Sequence, residues 1–391
     1  MNKIVLTATA VAISLSAFAQ SGRKDLGTAF SALSNGYLDK AKVAIDKCIN
    51  YDDTKNDAKT WMYRGNIYLS IAGTKDKEYA KLCNNCAEVA LEAYKKALEL
   101  DREITVNMGI TSPKQGIDYC SQLLVNEAID KYDAKDYKEA YRLATLAFDA
   151  NKNQTSQYIQ GFTAETVGDV ETAKKRYAEL VKAKTNINTQ PYTRMAAYYK
   201  EENDTAKALQ TMKTGASVFL KDTLKKAIDT SNYTNFAVAY SVLLDWANLP
   251  EQATEIIQKV MEKFPTNYAA LITYGTGLSE QKKYDDAEKY LLKALEVKPN
   301  DELALYNLGN CHYNHSADIT KSLGSIANDD DYQKAKEEAN AYLQKARPYL
   351  EKAYELNPTD KNTLIMLKNI YGRLNETEKY TEIDNKLKEL K

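Results

Sequence analysis

Two histidines and five cysteines are the scarcest reactive side chains in this chain of 391 residues, and both histidines fall in one run, Cys311-His312-Tyr313-Asn314-His315. C-H-x-x-H with Asp318 close behind invites a metal-site reading, because His312, His315 and Asp318 offer N and O donors at helical spacing. The same helix would direct Cys311 and His312 about 100° apart, so core packing is the expected role and no metal or other cofactor is expected. Cys83-Asn84-Asn85-Cys86 is the one close cysteine pair. As C-x-x-C it permits a local disulfide, half of a zinc site or a redox pair. With no second C-x-x-C, no following His and no preceding strand pattern, a disulfide between Cys83 and Cys86 is the favoured reading. The odd cysteine count leaves at least one thiol unpaired within the chain.

Catalytic motifs are missing. None of G-x-x-x-x-G-K-[ST], G-x-S-x-G, H-E-x-x-H or G-x-G-x-x-G occurs, and two neighbouring histidines leave a Ser-His-Asp triad almost nowhere to form. Glycosidases need only two carboxylates, but pairs such as Asp285-Asp286 and Glu337-Glu338 sit among lysines and read as solvated helix faces. No catalytic residue is expected. The 53 basic and 54 acidic side chains nearly cancel, which argues against a nucleic-acid footprint.

Hydrophobic residues make up 44% of the chain, with 15 Gly, 7 Pro and 29 Tyr, a balance that disfavours turn-rich β architectures and points to an all-α protein. Residues 1–19 read as a secretory leader: Lys3, an apolar stretch from Ile4 to about Leu15, then Ala17 and Ala19 for cleavage between Ala19 and Gln20. The first cysteine is Cys48, so no lipid-modified N-terminal Cys is expected. No later segment suits a bilayer span. The mature chain is expected to be exported, periplasmic or secreted.

The elements that must position these residues recur. In 267–299, NYAALITYGTGLSEQKKYDDAEKYLLKALEVKP, Leu271, Tyr274, Gly275 and Leu278 share one helical face, Lys282 to Tyr284 make a turn, and Ala287, Leu291 and Ala294 form a second apolar stripe. Asp301 to His315 repeats the first helix, and Trp61 to Tyr68 is its fullest aromatic version. Each first helix carries one small close-packing residue: Ala29, Gly65, Ala128, Gly161, Ala196, Ser241, Gly275 and Gly309, at separations of 36, 63, 33, 35, 45, 34 and 34. Ala41, Ala90, Ala140, Ala173, Ala208, Ala253, Ala287 and Ala346 match them in the second helices. On these residues the chain resembles the tetratricopeptide repeat (TPR) family, whose pattern is W-x2-L-G-x2-Y, A-x3-F and a closing Pro. The resemblance covers nearly all of the mature chain, loosely at 101–120 and 216–235. It implies a right-handed α-α superhelix of about eight repeats with a charged C-terminal capping helix.

Departures from the period mark insertions near 72–86 and near 316–342, the second with Asp329-Asp330-Asp331 as a helix N-cap and Pro348 as a kink or fresh start. An irregularity at Gly215 to Asn232 suggests a hinge, giving arrays at 20–230 and 231–391. In this family the wall of first helices usually receives an extended peptide or a partner helix. The inward candidates are Asn66, Leu69, Tyr158, Phe162, Glu165, Tyr306, Asn310 and Tyr313, since Tyr supplies contact area and Asn pairs with backbone. The family's clamp for a C-terminal carboxylate is not intact: Met62, Val125 and Ile129 stand where polar residues are needed. The expected function is a non-enzymatic protein- or peptide-binding scaffold of the bacterial envelope. A glycan-binding protein with aromatic platforms, or a hydrolase, are the alternatives.

Overall fold

The computed structural model describes residues 22–221 and 227–390, and among them every regular element is helical. The expected leader and its cleavage point between Ala19 and Gln20 lie outside the described residues, as does part of the expected hinge (222–226). The chain divides into two compact units, the first ending at Ile187 and the second beginning at Asn188. That division precedes the expected boundary near Thr230, which falls within a continuous helix, Ala227–Trp246.

The first unit contains α1 (22–34), α2 (Leu38–Cys48), α3 (Ala58–Ala72), α4 (Lys77–Ala80), α5 (Cys86–Leu100), α6 (Pro113–Asp133), α7 (Tyr137–Ala150), α8 (Gln154–Thr166) and α9 (Val170–Lys182). These pair as the hairpins α1/α2, α3/α5, α6/α7 and α8/α9. The second unit contains α10 (Gln190–Glu201), α11 (Thr205–Phe219), α12 (Ala227–Trp246), α13 (Pro250–Lys263), α14 (Tyr268–Glu280), α15 (Tyr284–Val297), α16 (Glu302–Ser322), α17 (Asp329–Leu356), α18 (Lys361–Arg373) and α19 (Thr377–Glu389). They pair in sequence, and α18/α19 closes the array. Within each unit, successive first helices touch (α3–α6–α8, and α10–α12–α14–α16–α18), and no successive second helices pack as closely. The first helices therefore form the tighter, inner layer.

Helix approach is set by the recurring small residues. All eight second-helix alanines are buried, as are Ala29, Ala128, Ala196 and Ser241 of the first helices. At Gly275 a Cβ would stand 2.7 Å from Leu291 Cγ, and at Gly309 2.5 Å from Leu350 Cγ. Those distances leave no room for a side chain without parting the helices. Gly65 does the same against the ring of Tyr94, and Gly116 on α6 meets the opposite edge of that ring.

The turns are equally uniform. Every hairpin without an insertion reverses through one residue in the left-handed region: Gly36, Lys135, Gly168, Asn203, Asn248, Lys282 and Asn375, with φ between +58° and +87°. There the chain closes two carbonyls of the outgoing helix: Gly168 N–H donates to Glu165 O (3.1 Å) and Asp169 N–H to Ala164 O (2.9 Å). The following residue opens the next helix, and Asp136, Asp169 and Asp204 each accept a first-turn N–H on their side chains. Left-handed backbone suits Gly and Asn; Lys135 and Lys282 adopt it without that advantage.

The two insertions sit between paired helices. The one near 72–86 forms the single-turn helix α4 and the loops beside it. The one near 316–342 lengthens α16 and α17 to 21 and 28 residues, joined by a 3-10 turn at Leu323–Ser325. Here the cap is Asn328, whose side chain accepts from Asp331 N–H, and Asp329 to Asp331 form the first turn instead. Pro348 lies inside α17 and starts no new helix.

Packing at these crossings can be tested at two glycines. Gly309→Val should cost about 1–3 kcal/mol by overpacking against Leu350. Gly277→Ala, which meets nothing within 4 Å, should instead stabilise by about 0.5–1 kcal/mol through helix propensity. Urea unfolding of both variants measures the difference; equal effects would show that the crossing is not tight.

Candidate functional site

In the first unit the expected groove residue Asn66 is buried, 2% exposed, and its amide is fully used. Tyr94 Oη–H donates to its Oδ1 (2.7 Å), and its Nδ2 donates to Met108 O (2.8 Å) and Ile110 O (3.1 Å). The acceptors belong to the α5–α6 connection, residues 101–112, which lies along α3. Ile104 and Val106 of this segment are buried, Val106 N–H donates to Thr111 O (3.0 Å), and Ser34 Oγ–H on α1 donates to Met108 Sδ (2.8 Å). Gly109 permits the turn: its φ is +72°, and a Cβ there would stand 2.9 Å from Asn66 Nδ2. Leu69 is half-buried and lines, with Leu33, Ser70 and Ile110, an open cleft of about 420 Å³ beside the strap.

Asn66 thus pairs with two carbonyls of a bend, and that bend belongs to the chain's own 101–112 strap. It is not available to a guest while the strap is seated. The strap fell in the stretch where the repeat pattern was weakest, and nothing in its sequence announced a strap.

Farther along the first unit, α6 and α8 present an aromatic group. Tyr132 packs on Phe162 (ring centroids 4.8 Å apart) and on Tyr137 (5.2 Å), and Tyr158 stacks on Phe162 at 6.1 Å. Ile129, 40% exposed, flanks them. Glu165 accepts from Tyr177 Oη–H at 3.1 Å, so its carboxylate ties α8 to α9.

In the second unit α16 and α18 bring the remaining candidates together. Tyr306 and Tyr313 are half-buried against the core that α17 and α18 share. Tyr313 Oη accepts from Asn369 Nδ2 (3.1 Å), linking the two first helices. Asn310 and, one turn on, Asn314 are half-buried. Leu303 and Ile365 flank this strip, 51% and 48% exposed.

The histidines are packed between aromatic rings. His315 lies between Tyr284 (4.5 Å) and Tyr342 (3.8 Å), and its Nδ1 is buried without a hydrogen-bond partner. His312 is 2% exposed, with Nε2 3.7 Å from Glu288 Oε1. Asp318 accepts from Tyr284 Oη–H (2.7 Å) and pairs with Lys282 Nζ (3.0 Å). No cluster of three metal-donor residues exists among the described residues. Cys48, Cys120 and Cys311 are buried free thiols, and Cys83 and Cys86, with Cα atoms 5.6 Å apart, are bonded through their sulfurs.

Two outcomes follow. Asn66→Ala removes three hydrogen bonds and leaves buried partners unpaired, so it should cost about 2–3 kcal/mol and speed hydrogen exchange at Val106. A variant with unchanged exchange would show that the strap is held otherwise. Burial first, partly opposed by Glu288 and reinforced by Lys345 and His315, lowers the His312 pKa below the usual 6.5. The folded chain therefore keeps His312 neutral while the unfolded chain takes up a proton, so stability is intact above about pH 6.5 and falls below it. The loss should deepen as the pH falls further, and His312→Phe should reduce it in thermal melts, leaving the share of His315, whose pKa burial also lowers.

Residues 247–310, from the turn after α12 to the middle of α16, match the tetratricopeptide repeat family model. No curated protein matches the sequence. Similar solved structures include a tetratricopeptide repeat protein from Parabacteroides merdae (15% identity, 64% of this chain and 98% of that one, TM-score 0.40). MamA from Desulfovibrio magneticus RS-1 is similar at 18% identity over 51% of this chain and 92% of its own, TM-score 0.37. YrrB, described as a TPR protein with an unusual peptide-binding site, is similar at 16% identity over 70% and 96%, TM-score 0.29. The family match is confined to residues 247–310, and helical hairpins of similar build precede and follow that stretch.

Proposed function

We propose that this chain is a non-catalytic scaffold that holds an extended segment of another protein along the first-helix wall of its second unit. The observation that carries the reading is the strip on α16 and α18. Leu303 and Ile365 are about half exposed there, beside the half-buried amides of Asn310 and Asn314. Isolated exposed aliphatics are ordinary; what is unusual is their alignment with amide groups that offer both a donor and an acceptor to a passing backbone. In the first unit Asn66 pairs with two backbone carbonyls of a bend in this way.

The proposal includes export to the bacterial envelope, which rests on the leader pattern of residues 1–19 alone. The glycan reading has less support, because the rings of Tyr132 and Phe162 face one another rather than an open surface.

Affinity capture from an envelope extract, with the intact chain as bait, tests the scaffold reading. A stoichiometric protein should be recovered, and the pair Leu303→Lys and Asn310→Ala should reduce its recovery at least about tenfold without shifting the thermal midpoint. Recovery unchanged by the pair would remove α16 as the site. N-terminal sequencing of the cell-derived protein should begin at Gln20.

A further inference from the structure

The bonded pair Cys83 and Cys86 takes no part in the wall, and its two sulfurs stand in different surroundings. Cys86 is 4% exposed at the first position of α5, whereas Cys83 is half-buried beside the exposed Asn84 and Asn85. The other three cysteines are buried, and burial pushes the thiols of Cys48 and Cys120 up to about 12 and that of Cys311 up to about 11. Cys83 is therefore the one cysteine that a thiol in solution can approach.

The bond closes the junction between the 73–85 insertion and α5. That insertion is lightly held: α4 buries no residue, and its apolar contacts with the core are the half-buried Tyr79, Leu82 and Cys83. At the other end of the bond, α5 starts without a capping side chain, unlike α7, α9 and α11, where Asp136, Asp169 and Asp204 take a first-turn N–H. Uncapped N–H groups favour negative charge on a sulfur at Cys86 and counter the cost of burying it. Glu88, the one acid of that turn, accepts from both terminal nitrogens of Arg142 (2.7 and 2.8 Å), which offsets its charge. The bond thus joins an approachable sulfur to a leaving group at a helix start.

We infer that Cys83 and Cys86 form an exchange-competent disulfide, which clasps the 73–85 insertion to the α3/α5 hairpin and is opened by an external thiol attacking Cys83. The thiolate bonds to Cys83 Sγ as the S–S bond breaks; the bonding pair leaves on Cys86 Sγ, which then takes a proton from water. A second thiolate displaces Cys83 Sγ, so two thiols become one disulfide for the one reduced. This inference is independent of the scaffold reading.

Dithiothreitol and glutathione serve as probes on the folded full chain, read by alkylation and mass spectrometry. Reduction by dithiothreitol should stay proportional to its concentration, since no unfolding is needed, and Cys48, Cys120 and Cys311 should remain unalkylated. Oxidised glutathione should cap Cys83 in the Cys86→Ala variant at least about tenfold faster than Cys86 in Cys83→Ala. In the reduced chain the amide of Leu82, which donates to Tyr79 O, should exchange with solvent about tenfold faster, and that of Leu91 at an unchanged rate. A reduction rate that plateaus at the unfolding rate, or equal capping of the two cysteines, overturns the exchange site. Unchanged exchange at Leu82 overturns the clasp.

Discussion

Close approach of paired helices, made possible by one small residue on each, is the constraint on which the rest of the structure depends. Gly275 faces Leu291 and Gly309 faces Leu350 with no space for a Cβ. Because the contact recurs once per hairpin, the array gains the same burial at each step and needs no central core. Tyr94 shows how far this goes: its ring fills the space that Gly65 and Gly116 leave open, so one side chain packs α3, α5 and α6 together. Its hydroxyl then orients Asn66, and Asn66 orients the strap. A packing requirement at a crossing thereby becomes a hydrogen-bonding requirement on the wall.

The turn is the second regular device. A left-handed residue followed by the next helix satisfies outgoing carbonyls and incoming amides within about five residues. Where an insertion breaks this arrangement, at α3/α5 and α16/α17, the chain substitutes a short helix or two longer ones. Neither insertion disturbs the small-residue pairing on either side of it, since Gly65 with Ala90 and Gly309 with Ala346 remain buried.

The wall is unevenly available. In the first unit the chain's own 101–112 segment uses the asparagine that would read a guest, and aromatic rings beyond it pack mostly on each other. In the second unit Leu303 on α16 and Ile365 on α18 stay about half exposed beside the half-buried amides of Asn310 and Asn314.

The sequence by itself determined the helical class, the repeat, the paired small residues and the turn at Lys282, because each is a local requirement with a fixed spacing. It also placed Cys311 and His312 in the core, since helical direction follows from residue number alone. What it left open was decided by long-range contacts. Asn66 and Asn310 occupy equivalent positions and look alike in one dimension, yet only Asn66 meets a segment more than forty residues away in the chain. Periodicity reports which face a residue takes; only the tertiary structure decides what lies opposite that face.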